Sequence, residues 1–262
     1  GLRAAILIQA AGCEVTVLEA GDSPGGRVRT DRIDGFLVDR GFQVLLTEYP
    51  EVKASLDLKA LDLKAFAPGA MIFRHGAFTK LCDPFRRPFE GALSLFGPPG
   101  RISDRFRLAL LRSRTTWNSE PQLASNVGTP FIDVLRARGF SADFIDAFFR
   151  PWFGGITLDR SLSADAGFCE FVFGCLAKGQ AAIPALGIGA VADQLTARLA
   201  AGTLRLRSRV TSIEGSRVRL VSGEVIEGST IIVATEGPEA SKLLRMSDTG
   251  SKSVTCLWFG AP

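Results

Sequence analysis

The spacing of apolar positions changes within the first twenty residues. In GLRAAILIQAAG, Gly1 to Gly12, Ala, Leu and Ile crowd together as in a helix and stop at a glycine suited to a C-terminal turn. The next stretch, CEVTVLEA, alternates and is rich in β-branched residues, the pattern of a strand. Helix followed by strand is the second half of a βαβ unit. Farther on, GFLVDRGFQV predicts a short strand and a glycine turn between Gly35 and Val44. MIFRHGAFTKL predicts a hairpin turning at His75-Gly76.

From Cys82 to Gly100, Pro84, Pro88, Pro98 and Pro99 interrupt any period and predict a loop. Three helices should follow. One spans Ile102 to Arg114, and one has Thr129 as N-cap with Pro130 at its first position and stops at Gly139. The third starts after Ser141 and should end before Pro151, with Phe144, Ile145, Phe148 and Phe149 forming a packing stripe. In AIPALGIGAVADQLTARLAAG, Ile188, Val191, Leu195 and Leu199 recur at helical spacing, with a stop at Gly202. Beyond it the period becomes two. Short strands with turns at Gly215-Ser216 and Ser222-Gly223 should finish in a buried strand, TIIVAT.

With 262 residues and 46% apolar content the chain can bury a sizeable core. Its net charge of +4 comes from scattered arginines, which argues only weakly for a nucleic-acid or membrane partner and suits an anionic small molecule equally well; no nucleic-acid partner is expected. The arginines between Ile102 and Arg114, with Phe106 and Leu110 among them, read as a solvated helix face in preference to a peripheral membrane contact. Cys13, Cys82, Cys169, Cys175 and Cys256 form no C-x-x-C pair, so reduced, mostly buried thiols, an intracellular (cytoplasmic or organellar) location and no metal cluster are expected. No apolar run approaches the ~18 residues of a membrane span, and no charged-then-apolar leader is expected. His75, the only histidine, sits in a turn and argues against His-dependent triads and multi-histidine metal sites. The phenylalanines between Phe144 and Phe173 read first as core and second as the lining of an apolar substrate cavity.

The stretch that carries chemistry is VTVLEAGDSPGGRVRT, Val15 to Thr30. A carboxylate ending the second strand of a dinucleotide-binding βαβ unit can accept hydrogen bonds from both ribose hydroxyls, and Glu19 holds that place. Gly1 fits the third glycine of G-x-G-x-x-G, with Glu19 at about the expected twenty-residue spacing. Gly25 and Gly26 let backbone approach a ligand closely, and Arg27 can set a cation beside a diphosphate. A second glycine turn favours a flavin dinucleotide over a nicotinamide one.

These residues resemble the flavin-containing amine oxidase superfamily, which includes phytoene desaturases and protoporphyrinogen oxidases. The resemblance rests on GLRAAILIQAAGCEVTVLEAGDSPGGRVRT, VDRGFQV, IPALGIGAVADQLTARL, and VTSIEG followed by TIIVATEGPEA. It implies an α/β fold: a Rossmann-like FAD-binding domain with a parallel sheet and a β-meander, interleaved with an α+β substrate domain. Residues 1–69 and 184–239 would build the first, and 70–183 and 240–262 the second. Carried over, Glu19, followed by Ala20, binds ribose. Gly25, Gly26 and Arg27 line the diphosphate and ribityl region, and Gly41, Phe42 and Gln43 approach the flavin. A plain turn packing Phe42 is the equal alternative. The Val210 backbone contacts adenine, and Ala234 and Thr235 lie on a strand returning beneath the cofactor. The implied activity is FAD-dependent transfer of a hydride from a C–N or C–C bond of a small apolar or amine substrate, with oxygen or another acceptor restoring the flavin. No catalytic residue can be named. A noncatalytic fragment or degenerate homologue is the second reading, and a nicotinamide enzyme the third. The resemblance starts inside the phosphate loop and stops before the family's final segment, so the chain alone is expected to hold the cofactor poorly.

Overall fold

A computed structural model describes residues 1–94, 97, 99–117, 126–248 and 250–260. Pro98 of the expected loop and the last residues of the 240–262 segment lie outside the described residues. The chain forms two compact units, one of Gly1–Leu45, Glu51–Lys64 and Ile183–Pro262, the other of Leu46–Pro50 and Ala65–Ala182.

In the first unit the expected opening helix is Leu2–Ala10, burying Ala5 and Ile6. The strand that follows is only Val17–Leu18, paired in parallel with Leu204–Arg205. Amide donation from Val17 to the Thr203 carbonyl and from Glu19 to the Arg205 carbonyl, at 2.8 and 3.0 Å, continues this pairing at both ends. This sheet has two strands among the described residues. Thr30–Ile33 and Phe36–Asp39 form an antiparallel hairpin. The helix predicted around Val191 and Leu195 is Gly189–Thr196 and ends before Leu199. Leu45, Leu61 and Ile188 form the core here, with Val28, Val52 and Val191 against them.

The meander is Val210–Glu214, Arg217–Leu220 and Val225–Glu227, antiparallel throughout, with its turns at the expected glycines. The buried strand expected at TIIVAT is absent. Residues 230–235 carry no strand and are half-buried or exposed. An apolar run becomes a strand only where a sheet edge accepts its ladder, and none does so among the described residues. An unanticipated helix, Gly237–Leu244, follows directly, with Pro238 in its first turn.

In the second unit, Ala70–Arg74 and Ala77–Leu81 pair across His75 and Gly76. Their φ values of 52° and 79° are the left-handed pair that a tight hairpin turn requires. The expected loop after Cys82 contains a helix, Pro88–Ser94. A proline at the first helical position loses no hydrogen bond, so Pro88 starts this element instead of breaking it. The Ile102–Trp117 helix runs three residues past its expected end. The next is Phe131–Ala137, with Pro130 as the N-cap in extended conformation, one position later than expected.

Ser141 caps the following helix, its Oγ accepting the Phe144 N–H at 3.3 Å. Pro151 does not end it. Ala142–Phe144 passes through a π-helical turn at Ile145–Phe149 into an α-helix, Arg150–Thr157, with the proline at its start. The widened turn shifts the hydrogen-bond register, so a residue without an N–H is accommodated. The predicted stripe is all core: Phe144, Ile145, Phe148 and Phe149 are buried. Phe131, Phe140 and Phe153 join them in tilted and edge-on ring contacts. Each such ring contributes roughly 1.5–3 kcal/mol by burial. The Ala166–Lys178 helix packs against Ile102–Trp117 and is capped by Asp165, which accepts the Phe168 N–H at 3.0 Å and the Gly128 N–H at 2.6 Å.

Candidate cofactor site

Glu19 lies half-buried one residue past its strand. Its backbone is fastened on both sides: its N–H donates to the Arg205 carbonyl, and its carbonyl accepts the Ser208 N–H at 2.8 Å. Oε1 accepts the Gly21 N–H at 2.6 Å. Oε2 has no hydrogen-bond partner among the described residues, so one carboxylate oxygen orients the side chain and the other can receive a ligand hydroxyl. Ala20 is exposed beside it.

The chain then folds through a turn closed by the Val28 N–H on the Gly25 carbonyl at 2.9 Å. Gly25 has φ +100°, and a Cβ there would meet the Val28 oxygen at 2.5 Å and the Ala192 Cβ at 2.7 Å, so only glycine fits. Gly26 has φ +58° but faces open space. The exposed Arg27 guanidinium pairs through Nε with Glu236 Oε1 at 3.5 Å, and its backbone carbonyl accepts Gln43 Nε2 at 3.3 Å. Gln43 also donates to the Arg40 carbonyl at 2.9 Å. Phe42 is 77% exposed and packs no turn, leaving Gln43 as the residue that ties Gly41–Gln43 to the glycine turn.

Gly1 meets Ala234, whose Cβ lies 3.8 Å from where a Gly1 Cβ would be. Thr235 Oγ1 donates to the Glu236 carbonyl at 3.4 Å. Val210 opens the meander opposite Leu220, two residues after Ser208 bonds Glu19. The structure therefore joins Arg27 with Gln43 and Gly1 with Ala234, and ties Glu19 to the segment leading into Val210. It leaves Phe42 largely exposed.

Three residues escaped the sequence reading. Asp39, inside VDRG, accepts from the Thr30 hydroxyl and the Ile188 N–H. Glu236 meets Arg27, and Arg207 lies beside Gly21. The only available signal was the acid in VDRG and the basic run RLRSR. Around the turn, Arg29 holds the Asp22 carboxyl below its ordinary range, and Arg40, then Arg29, does the same to Asp31. Arg29 and Asp31 are half-buried and Asp22 and Arg40 exposed, so these solvent-accessible pairs add little stability.

The residues fit a dinucleotide: a free carboxylate oxygen, glycine backbone at Gly26 and Gly41 with open space where a Cβ would project, and an exposed guanidinium. Ser23 Oγ, in the same turn, is buried without a hydrogen-bond partner among the described residues. Two cavities, of about 330 and 370 Å³, flank the meander and include none of these residues. No group of three metal-ligating side chains and no helix long and apolar enough to cross a membrane occurs among the described residues. Among the described residues no disulfide joins the five cysteines: Cys82, Cys169 and Cys175 are buried, Cys256 is half-buried and Cys13 exposed.

The flavin containing amine oxidoreductase family model matches residues 1–254. The chain belongs to that family. FAD is accordingly its cofactor class, as the sequence resemblance implied. No curated protein matches the sequence. Among solved structures of this fold, putrescine oxidase bound to putrescine is 20% identical, with 92% of this chain aligned to 57% of that one at a TM-score of 0.64. An oxidoreductase from Methanosarcina mazei is 19% identical over 95% of this chain and 59% of its own, also at 0.64. Reduced UDP-galactopyranose mutase is 15% identical over 95% of this chain and 56% of its own, at 0.56. The chain thus spans less than two thirds of the length of these relatives. At these identities the likeness shows the fold, which carries oxidases and a mutase alike.

Proposed function

We propose that the protein is an FAD-dependent oxidoreductase that accepts a hydride from a small amine or apolar substrate. The observation that carries this reading is the conjunction, within Glu19–Arg27, of a pre-oriented carboxylate with one free oxygen and a glycine turn bearing an exposed arginine. Glu19 accepts hydrogen bonds from the adenosine ribose. Gly25, Gly26 and Arg27 border the diphosphate, Gly41 to Gln43 approach the ring system, and the Val210 backbone faces adenine. Gly1, Ala234 and Thr235 line the side where helix and returning chain meet. Flavin, when bound, supplies the hydride acceptor.

In this reading residues 1–69 and 184–239 form the Rossmann-like cofactor domain with its meander, and residues 70–183, with 240–262, contribute to the substrate domain. The family membership supports the oxidoreductase class, and putrescine oxidase is the neighbour that favours an amine substrate.

The test is the visible absorption spectrum of the protein purified from its complete reading frame, with and without added FAD. A flavin spectrum is expected. Glu19→Gln should weaken FAD binding about tenfold, since a charge-assisted bond becomes a neutral one. No flavin spectrum even with added FAD would overturn the reading in favour of a noncatalytic homologue.

A further inference from the structure

The segment RLRSR, Arg205 to Arg209, runs directly past Glu19. Its three arginines are treated differently. Arg205 makes a two-pronged pair with Glu224, at 3.0 and 2.6 Å, and Arg209 lies 3.8 Å from Glu239. Arg207, between them, is exposed and has no carboxylate within 4 Å among the described residues.

Arg207 is also held in an unusual backbone conformation. Its φ of 52° is left-handed, a region that side chains other than glycine's rarely adopt. Two hydrogen bonds impose it: the Arg207 N–H donates to the Gly21 carbonyl at 2.8 Å, and the Ser208 N–H to the Glu19 carbonyl at 2.8 Å. The chain thus accepts local strain to fix an unpaired cation next to the ribose-binding candidate. Asp22, in the glycine turn, feels it: its carboxyl is lowered chiefly by Arg29 and more weakly by Arg207.

The charge around the turn gives this cation a task. Arg29 and Arg40 are met by Asp22 and Asp31, and Arg27 by Glu236. With those pairs neutralised, Glu19 leaves the turn negative, which opposes a diphosphate. Partly exposed charges at this distance act through a dielectric near that of water, but an uncompensated sign still selects between ligands.

We propose that Arg207 is a further cofactor-binding residue, a free cation clamped beside Glu19 that meets the anionic adenosine diphosphate half of the cofactor. The inference rests on the cofactor reading above and adds to it the group that balances Glu19. Lysine supplies the same charge on a similar reach, glutamine the reach without the charge, and glycine removes the side chain while suiting the left-handed φ.

The experiment is calorimetric titration of FAD and of ADP into the protein from its complete reading frame, at low and high salt, for the parent and for Arg207→Lys, Arg207→Gln and Arg207→Gly. Arg207→Gln and Arg207→Gly should each weaken both ligands about tenfold at low salt and flatten the salt dependence, while Arg207→Lys retains most affinity. Arg207→Gly should unfold no earlier than the parent, which separates lost charge from a damaged fold. Parental affinity in both uncharged variants would overturn the role of Arg207 and leave the cofactor site standing. Absence of FAD and ADP binding by the parent would overturn the site itself.

Discussion

Thr30 Oγ1 donates to Asp39 Oδ1 at 2.6 Å, tying the first strand of the hairpin to the second by side chains as well as by backbone. The same Asp39 oxygen receives the Ile188 N–H at 3.0 Å, and Thr30 Oγ1 receives the Gly189 N–H at 2.9 Å. Two donors at the start of the Gly189–Thr196 helix, which no helical carbonyl can reach, are satisfied in this way. The negative charge of Asp39 also lies at the end of the helix dipole that favours it.

Asp39→Ala should therefore destabilise the first unit by about 2 kcal/mol, because a buried N–H loses its acceptor. Asp39→Asn, which keeps a carbonyl oxygen in place, should lose less. Urea unfolding followed by circular dichroism measures both. Equal midpoints for parent and Asp39→Ala would mean that water replaces the carboxylate at no cost.

Most of the helices and hairpins were legible because each rests on a local signal: the hairpin on His75-Gly76, the third helix on Ser141, the packing stripe on Phe144 to Phe149. The errors share a different cause. Pro151 reads as a stop until the π-helical turn before it is seen. TIIVAT reads as a strand because apolar content is local, whereas pairing depends on a distant edge. In the candidate site, Glu19 and the glycines announced themselves through spacing. Asp39, Arg207 and Glu236 did not, since their partners lie 149, 186 and 209 residues away in sequence.

Asp104 is fully buried and accepts the Arg101 N–H at 2.8 Å, the Ser141 N–H at 2.9 Å and the Ser141 hydroxyl at 2.7 Å, with Arg107 at 3.6 Å. Burial pushes its carboxyl up, and these hydrogen bonds, with Arg107, outweigh burial and hold it below the ordinary value. A lowered folded-state pKa means that its stabilisation is complete above the unfolded value, ~3.9, and disappears as pH falls through the folded one. Asp104→Asn should thus be less stable than the parent by about 2 kcal/mol at pH 7, with the gap constant down to about pH 4 and narrowing below it. Thermal unfolding of both proteins between pH 7 and pH 3 supplies the comparison. A gap that stays constant through the acid range would show that Asp104 does not titrate as described.

Gly25 and Gly26 are adjacent and left-handed, but for different reasons, and the difference separates folding from binding. A Cβ at Gly25 collides with the Val28 carbonyl and Ala192, neither of which is the free end of a flexible side chain. Gly25→Ala should lower the unfolding midpoint markedly and lose flavin as a consequence. A Cβ at Gly26 enters open space, so Gly26→Ala carries only the left-handed penalty of about 1 kcal/mol. If that space belongs to the cofactor, the added methyl group takes it. Gly26→Ala should then unfold near the parental temperature yet purify with a clearly lower ratio of flavin to protein absorbance. Full parental flavin content in Gly26→Ala would remove the glycine turn from the cofactor site and leave Gly25 with a purely structural role.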